Sequence, residues 1–340
     1  MIERLALPFI PERRGRLCFH GSRRSQEVMA MKVVSCIGEC MMELVEHPDR
    51  TLTRGFGGDT LNTALYLARL GVPTDYVTAL GTDPFSDEMV HAWSLEGIGT
   101  GNVLRLAGRL PGLYLIQTDE TGERRFFYWR DSAPVRQLFN VPETPQIQAV
   151  LTASELVYLS GITLSLFDEQ GRNTLFETLD IARQHGSIVA FDTNFRPRGW
   201  PDLHVARAVY DRMFARSDIV LASVEDHFLL HGSVAASDLI ARLTAADVGE
   251  MVVKLAHPAC HVAVGGEATV VEAEPVGTVV DTTAAGDSFA AAYIAARRAG
   301  IAPAVAARIG HQLAGAVVGY RGAIIPRAAM PPIALTTETL

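Results

Sequence analysis

The stretch Asp-Thr-Thr-Ala-Ala-Gly-Asp-Ser-Phe at residues 281–289 is the most informative part of this chain. It follows a β-branched run at residues 276–280, which predicts a strand, and it opens an Ala-rich pattern from Phe289 onward, which predicts a helix. The first amides of a helix lack intrahelical partners and carry the positive end of the dipole, so they bind anions. Three small residues let such an anion approach the backbone: Ala284, Ala285 and Gly286.

The carboxylate of Asp287 follows these small residues directly. There it is placed to take the proton of an attacking hydroxyl, and its ordinary pKa of about 3.9 keeps it ionised at neutral pH. The amides of Ala285, Gly286 and Asp287 would then stabilise charge on a transferring phosphoryl group. Asp and Thr before an apolar run are also ordinary helix-start residues, but the whole stretch favours catalysis.

Composition and charge narrow the class of protein. The chain has 340 residues, 48% of them hydrophobic, which suffices for one large α/β domain with an insertion. Its net charge of -8 argues against a nucleic-acid partner. No apolar run approaches the roughly 20 residues of a membrane helix, so no membrane partner is expected. The cysteines lack metal-ligand spacing and predict reduced thiols in a cytoplasmic protein; they are Cys18, Cys36, Cys40 and Cys260.

The first thirty residues differ from the rest of the chain. Residues 1–30 contain six arginines against three glutamates and have no sustained periodicity. Such a start is typical of a targeting peptide and equally of a translated upstream stretch. Because Met29 and Met31 stand just before the first clear strand pattern, we favour the second interpretation. We expect residues 1–30 to be a disordered extension or a mis-assigned start.

Between residues 31 and 335 short apolar runs alternate with helical patterns. Runs too apolar to be half exposed predict a doubly wound, mostly parallel α/β sheet with helices on both faces. Ligands bind beyond the carboxyl ends of strands in such sheets. The predicted strands are 33–37, 75–80, 157–160, 188–192, 219–222 and 251–255, and the predicted helices are 61–70, 87–96, 171–185, 203–216, 235–246, 289–298 and 304–318.

Two stretches break this alternation, at about residues 40–56 and 102–132. Their strand-like pieces and turn signals predict a small antiparallel β lid outside the main sheet. A separate sheet with an exposed face must cover something. Covering an active site and pairing with a second subunit both satisfy this requirement, so we expect a homo-oligomer formed through the lid. The predicted lid strands are 40–45, 103–106, 112–117 and 124–129.

Two motifs together resemble the ribokinase-like (phosphofructokinase-B type) carbohydrate kinases. They are Gly-Gly-Asp-Thr-Leu-Asn-Thr-Ala at residues 57–64 and the stretch 281–289. The resemblance extends from about residue 31 to 326 and implies a ribokinase-like fold, with ATP and Mg²⁺ as cofactors. Within the family the chain is most similar to the kinases of 2-keto-3-deoxygluconate, as judged from residues 123–133, 192–200 and 320–326.

This resemblance implies phosphorylation of 2-dehydro-3-deoxy-D-gluconate (KDG) at its 6-hydroxyl, giving 2-dehydro-3-deoxy-6-phospho-D-gluconate. A kinase for a neutral sugar such as fructose or ribose is the nearer alternative. A non-catalytic sugar- or nucleotide-sensing protein on the same scaffold is the more distant one, because a fold does not fix a function.

The glycine pair Gly57-Gly58 precedes a predicted helix and lets backbone approach a polyhydroxy ligand. Asp59 and Asn62 can then hydrogen-bond sugar hydroxyls. A capped helix after a glycine turn is the commoner explanation of such a pattern. The resemblance favours substrate binding by these four residues.

Arg130 and Arg196 bear on the substrate class. A guanidinium pairs a carboxylate through two parallel hydrogen bonds, although either arginine could instead bind ATP phosphates or form a surface ion pair. The resemblance implies that Tyr114, Tyr128 and Arg130 face the substrate and that Arg196 lies between substrate and phosphates. We therefore expect a small acidic sugar as the substrate.

The resemblance also implies the nucleotide side. Lys254 ends a strand and precedes residues 256–260, where the family usually has glycines and this chain has Ala256 and Ala259. A strand-end lysine reaching solvent is an equal interpretation. Asp226 is the candidate for a Mg²⁺ contact through water. The candidate ATP-binding residues are Asn194, Arg196, Ser223, Lys254, His257, Ala284, Ala285 and Gly286.

Overall fold

The structure is a computed structural model that describes residues 33–118 and 124–336. The expectations for residues 1–30 lie outside the described residues. The strands are β1 (Val34–Ile37), β2 (Met41–Glu46), β3 (Leu52–Gly57), β4 (Thr74–Gly81), β5 (Val103–Leu106), β6 (Leu113–Thr118), β7 (Arg124–Trp129), β8 (Leu156–Ser160), β9 (Ile188–Asp192), β10 (Ile219–Ser223), β11 (Glu250–Lys254), β12 (Ala259–Val264) and β13 (Glu267–Glu272).

Helices connect most of these strands. They are α1 (Asp59–Arg69), α2 (Pro84–Leu95), α3 (Thr144–Ala153), α4 (Gly161–Leu166), α5 (Glu169–Gln184), α6 (Leu203–Phe214), α7 (Val224–His231), α8 (Ala236–Ala245), α9 (Ala285–Arg298) and α10 (Pro303–Val317). None of the helices in the described ranges combines the length and the hydropathy needed to cross a membrane.

The large sheet has nine strands in the order β13-β12-β11-β10-β9-β8-β1-β4-β5 among the described residues. The strands from β11 to β5 pair in parallel, and β12 and β13 add an antiparallel hairpin at one edge. Strands that run parallel need crossover connections, which the intervening helices provide. The predicted mostly parallel α/β sheet is confirmed.

The sheet separates two hydrophobic cores. Successive strand residues point to opposite faces, so Ile219 and Leu221 of β10 pack in one core while Val220 and Ala222 pack in the other. Helices α1, α2, α9 and α10 cover the first face, and α3 to α8 cover the second. Because both faces are covered, the central strands are apolar throughout. This arrangement confirms the doubly wound architecture.

Two parts of the edge region differ from the sequence prediction. Residues 276–280 form no strand, and Val279 is 56% exposed. Pro275 precedes this run and Gly277 interrupts it, and both residue types weaken a β ladder. The hairpin of β12 and β13 is not predicted in the sequence analysis. Its turn glycines Gly265 and Gly266 have φ of 60° and 86°, and a Gly-Gly pair between β-branched runs is the signal that predicts such a turn.

The lid is a second sheet in the order β3-β2-β6-β7. Its central pair β2–β6 is parallel and its outer pairs are antiparallel, so the prediction of an antiparallel sheet is wrong at the centre. The chain returns from β3 to β6 through the large domain, and this crossover allows parallel pairing. The predicted lid strand at 103–106 is wrong too. As β5 it pairs with β4 in the large sheet, because α2 connects β4 and β5 as a crossover helix.

Candidate active site

Most of the predicted polar residues meet at the carboxyl edge of the parallel strands. Asn62 in α1 donates to Asp287 Oδ2 in α9 at 2.8 Å. Asn194, two residues after β9, donates to Asp59 Oδ2 in α1 at 2.7 Å. Lys254 at the end of β11 lies 3.3 Å from the Asp192 carboxylate. The network therefore joins α1, α9, β9 and β11 around one cleft edge.

The start of α9 has a strained backbone and unpaired amides. Ala284 adopts a left-handed conformation with φ of 60°, which costs about 1–3 kcal/mol outside glycine. The Ala285 N–H donates to the Thr282 carbonyl at 3.2 Å, so its predicted role as a free amide is wrong, because a turn already uses it. Within the described residues no acceptor is found for the N–H groups of Gly286 and Asp287, which leaves two amides for an anion.

Asp287 has an unusual protonation equilibrium. Burial, together with the carboxylates of Asp59 and Asp192, raises its pKa to about 8, while Asn62 and Lys254 act in the opposite direction. The expectation of an ordinary pKa near 3.9 is therefore wrong. The main cause is burial, which only the folded chain provides, and the neighbouring carboxylates come from distant parts of the sequence.

Lys254 carries its charge to the anion site. A Cβ added at Gly286 would lie 3.3 Å from Lys254 Nζ, so the ammonium lies against the first turn of α9. Burial alone lowers the lysine pKa, but the carboxylates of Asp192 and Asp226 outweigh it and the pKa is raised. The side chain is only 25% exposed. This geometry favours anion binding over a lysine that reaches into solvent.

The end of β3 leaves no room for side chains. A Cβ at Gly58 would lie 2.1 Å from the Glu39 carbonyl oxygen, and one at Gly57 would lie 2.5 Å from the Tyr114 hydroxyl. The glycine pair is therefore required by close approach of the lid. Tyr114 and Tyr128 are cross-strand neighbours with ring centroids 6.0 Å apart, and they share the lid face that carries Gly57.

Glu43 is a cleft residue that sequence reasoning missed. Its Oε2 accepts the Tyr114 hydroxyl at 2.5 Å, and burial raises its carboxyl pKa. Glu43 alternates with buried or half-buried apolar residues of β2. That signal marks one strand face, but the partnership with Tyr114 depends on the parallel register of β2 and β6.

The two predicted arginines lie in different parts of the structure. Arg130, at the end of the lid, forms an ion pair with Glu39, whose side chain is 3% exposed. Burial raises the Glu39 carboxyl pKa, while Arg130 opposes that rise. Arg196 is 61% exposed, lies 3.8 Å from an Asp226 oxygen and donates to the carbonyl of Phe195 at 2.9 Å. Each arginine therefore has its own carboxylate partner.

The remaining nucleotide candidates are held by neighbours. Ser223 caps α7 by accepting the Asp226 N–H at 3.0 Å, and Asp226 accepts the Thr193 hydroxyl at 2.6 Å. His257 lies on the turn between β11 and β12 and faces the exposed Glu272 at 3.8 Å, with no hydrogen bond to Lys254. Across residues 33–118 and 124–336 no group of three or more His, Cys, Asp or Glu side chains is arranged to hold a metal ion.

The chain is similar to known proteins along most of its length. The family model described as pfkB family carbohydrate kinase matches residues 31–330. The chain is 44% identical over 310 residues to the 2-dehydro-3-deoxygluconokinase of Dickeya dadantii, covering 89% of this chain and 100% of that protein. It is 44% identical over 307 residues to the same enzyme of Escherichia coli K12, covering 88% and 99%. The crystal structure of 2-dehydro-3-deoxygluconokinase from Thermotoga maritima superposes with a TM-score of 0.76 at 22% identity, covering 87% of this chain and 94% of that one.

Proposed function

We propose that this chain, which belongs to the pfkB family of carbohydrate kinases, phosphorylates the 6-hydroxyl of KDG with ATP and gives 2-dehydro-3-deoxy-6-phospho-D-gluconate. The observation that carries the chemistry is the Asp287 carboxyl beside the free amides of Gly286 and Asp287, in contact with Asn62. The substrate is supported by the two 2-dehydro-3-deoxygluconokinases that are 44% identical to this chain and are covered over 100% and 99% of their length.

Asp287 acts as the general base of this reaction. Asn62 holds its Oδ2, which leaves Oδ1 to accept the proton of the sugar hydroxyl. As that oxygen bonds to the γ-phosphorus, the bond from phosphorus to the ADP oxygen breaks. The amides of Gly286 and Asp287 and the ammonium of Lys254 stabilise the charge on the transferred group.

ATP and Mg²⁺ fit the residues at this edge. Gly286 leaves open the space that a Cβ would fill beside Lys254, and both groups suit phosphate oxygens. Asn194, Arg196 and Ser223 would hold the nucleotide, and Asp226 would hold Mg²⁺ through water. When bound, Mg²⁺ neutralises charge on the β- and γ-phosphates.

Acid recognition follows from the charges in the sugar site. The Tyr114 hydroxyl already donates to Glu43, so both groups can only accept hydrogen bonds from a ligand. They therefore suit sugar hydroxyls and repel a carboxylate. The guanidinium of Arg130 is the partner for the acid end of KDG, whereas Arg196 lies on the side of the phosphates.

A substrate panel tests this proposal. Purified protein with ATP and Mg²⁺ is given KDG, 2-dehydro-3-deoxygalactonate, fructose and ribose, and ADP formation is followed by a coupled assay. We expect kcat/KM for KDG to exceed that for either neutral sugar by roughly 100-fold or more, because a neutral sugar offers no carboxylate to the buried Nε of Arg130, which has no hydrogen-bond partner among the described residues. A preference for fructose or ribose contradicts the acidic substrate. Nucleotide binding without ADP formation from any sugar supports a sensor instead.

The outward face of the lid supports a homo-oligomer. Phe127, Leu115 and Leu44 are cross-strand neighbours on this face, and Phe127 and Trp129 are 42% and 60% exposed. An uncovered apolar sheet face is suited to burial against a second copy. Phe127→Glu is expected to dissociate the oligomer in sedimentation velocity, whereas Leu95→Glu, at a 72% exposed position on α2 outside the lid, leaves it intact. A wild-type protein that is monomeric at micromolar concentration contradicts this proposal.

A further inference from the structure

One ion pair joins the lid to the loop in front of α9. Arg124 on β7 donates through Nη2 to Asp281 Oδ1 at 2.8 Å and through Nη1 to Asp281 Oδ2 at 3.0 Å. Its Nη1 also lies 3.1 Å from the Thr283 hydroxyl oxygen. Such a bidentate pair fixes orientation as well as distance. Among the described residues it is the only hydrogen-bonded link between the lid strands and residues 273–287.

Asp281 organises the backbone that leads to the anion site. Its carboxylate accepts the Thr283 N–H at 2.9 Å, the Thr283 hydroxyl at 2.6 Å and the Gly322 N–H at 3.0 Å. Burial raises the pKa of Asp281, but these hydrogen bonds outweigh it and hold the pKa at about 2. Asp281 is therefore an ionised carboxylate three residues before Ala284, whose strained turn opens α9.

This charge opposes the function of the neighbouring amides. An uncompensated carboxylate so close to the site repels the phosphates that the amides of Gly286 and Asp287 attract. Arg124 neutralises it only while β7 lies against residues 281–283. The position of the lid thus sets the electrostatic potential at the phosphate site.

We infer that Arg124 is a positioning residue that couples lid closure over the sugar to the phosphate site, so that sugar and ATP each tighten the binding of the other. The inference rests on the proposed function, in which the sugar lies under the lid. It assigns to Arg124 an action through Asp281, without contact to either ligand. The coupling must be reciprocal, because it is a property of the shared equilibrium.

Isothermal titration measures this coupling directly. The Kd of a non-hydrolysable ATP analogue with Mg²⁺ is determined with and without saturating KDG. In wild-type protein we expect KDG to tighten the analogue by about fivefold or more. In Arg124→Ala the two Kd values are expected to agree within about twofold, because lid closure no longer places a guanidinium beside the Asp281 carboxylate. Arg124→Lys should be intermediate, since it keeps the charge and loses the bidentate geometry.

The matched control is Arg125→Ala. Arg125 is the next residue of β7, exposed and directed to the opposite face of the lid, so its removal changes net charge equally and should leave the wild-type coupling. Hydrogen exchange gives a second readout. In wild-type protein KDG should protect the amides of both β7 and residues 281–284, and in Arg124→Ala only those of β7.

An Arg124→Ala variant with the full wild-type coupling overturns the inference, and so does a wild-type protein without coupling. If Arg124→Ala does not fold, Arg124→Lys carries the test, and its coupling must fall below that of wild type. Should another sugar of the panel bind in place of KDG, the proposed substrate fails. The coupling is then measured with that sugar, so the two failures remain distinct.

Discussion

Asp287→Asn is expected to lower kcat by roughly 10²–10⁴-fold, with little change in the affinities for sugar and ATP. The amide cannot accept the proton of the sugar hydroxyl, yet it has nearly the shape of the carboxyl. Its oxygen can still accept the hydrogen bond that Asn62 gives to Asp287 at 2.8 Å. Steady-state kinetics give kcat, and isothermal titration gives the two affinities.

The stability of Asp287→Asn and the activity of a control variant distinguish a loss of catalysis from a loss of folding. Because the folded-state pKa of Asp287 is raised to about 8, ionising this group as pH rises through that value costs folding free energy. Asp287→Asn lacks that cost, so its Tm at alkaline pH should be no lower than that of wild type. Glu225→Gln, an exposed carboxylate in the first turn of α7, should keep full activity. A fully active Asp287→Asn rules out this base.

The pH profile provides an independent readout of the same residue. The base form of Asp287 is populated only as pH rises through its pKa of about 8. The wild-type kcat/KM should therefore increase with pH across the neutral and alkaline range and level off above that value. The residual activity of Asp287→Asn should lack this rise. A wild-type profile flat from acid to alkaline pH contradicts the raised pKa.

Arg130→Ala is expected to raise KM for KDG by about 10–100-fold, since a hydrogen bond to a charged group contributes about 1.5–3 kcal/mol. KM for ATP should change far less. The substitution also leaves the buried carboxylate of Glu39 without its ion-pair partner, because Glu39 is 3% exposed and pairs with Arg130. Removing one partner of a buried pair costs about 3–5 kcal/mol, so the free energy of unfolding should fall by that amount.

The double variant Glu39→Gln/Arg130→Ala distinguishes the two effects. It removes the unpaired Glu39 carboxylate, so it should recover most of the lost free energy of unfolding in urea, while KM for KDG stays high. Equal increases of KM for KDG and ATP would remove Arg130 from the sugar site. A KDG affinity restored in the double variant would mean that Arg130 acts only as a structural partner of Glu39.

The sequence predicts the features that depend on neighbours along the chain. The apolar runs predict the parallel sheet. Residues 57–64 and 281–289 predict the two helix N-termini, which are joined in the structure by the hydrogen bond between Asn62 and Asp287. Local patterns could not assign residues 103–106 to the large sheet, because a strand next to an insertion has two possible partners. The same limit applies to 276–280, where β-branched residues lack a strand to pair with.

Long-range pairs account for the errors in the site. Burial in the fold, together with Asp59 and Asp192, raises the pKa of Asp287, and the role of Arg130 depends on Glu39, 91 residues away. A carboxylate with an ordinary pKa is the correct expectation for an isolated residue. Only the fold brings these charges together, and it does so at the edge where the strands end.

The lid also depends on two segments that are far apart in the chain. Its central strands β2 and β6 belong to separate segments of the chain. Glu43 of β2 and Tyr114 of β6 are hydrogen-bonded to each other and lie 71 residues apart in sequence. Contacts of such separation form slowly, because loop closure is costly before the intervening segment is ordered. A nascent chain that ends before β6 therefore presents the bare edge of β2 to its surroundings.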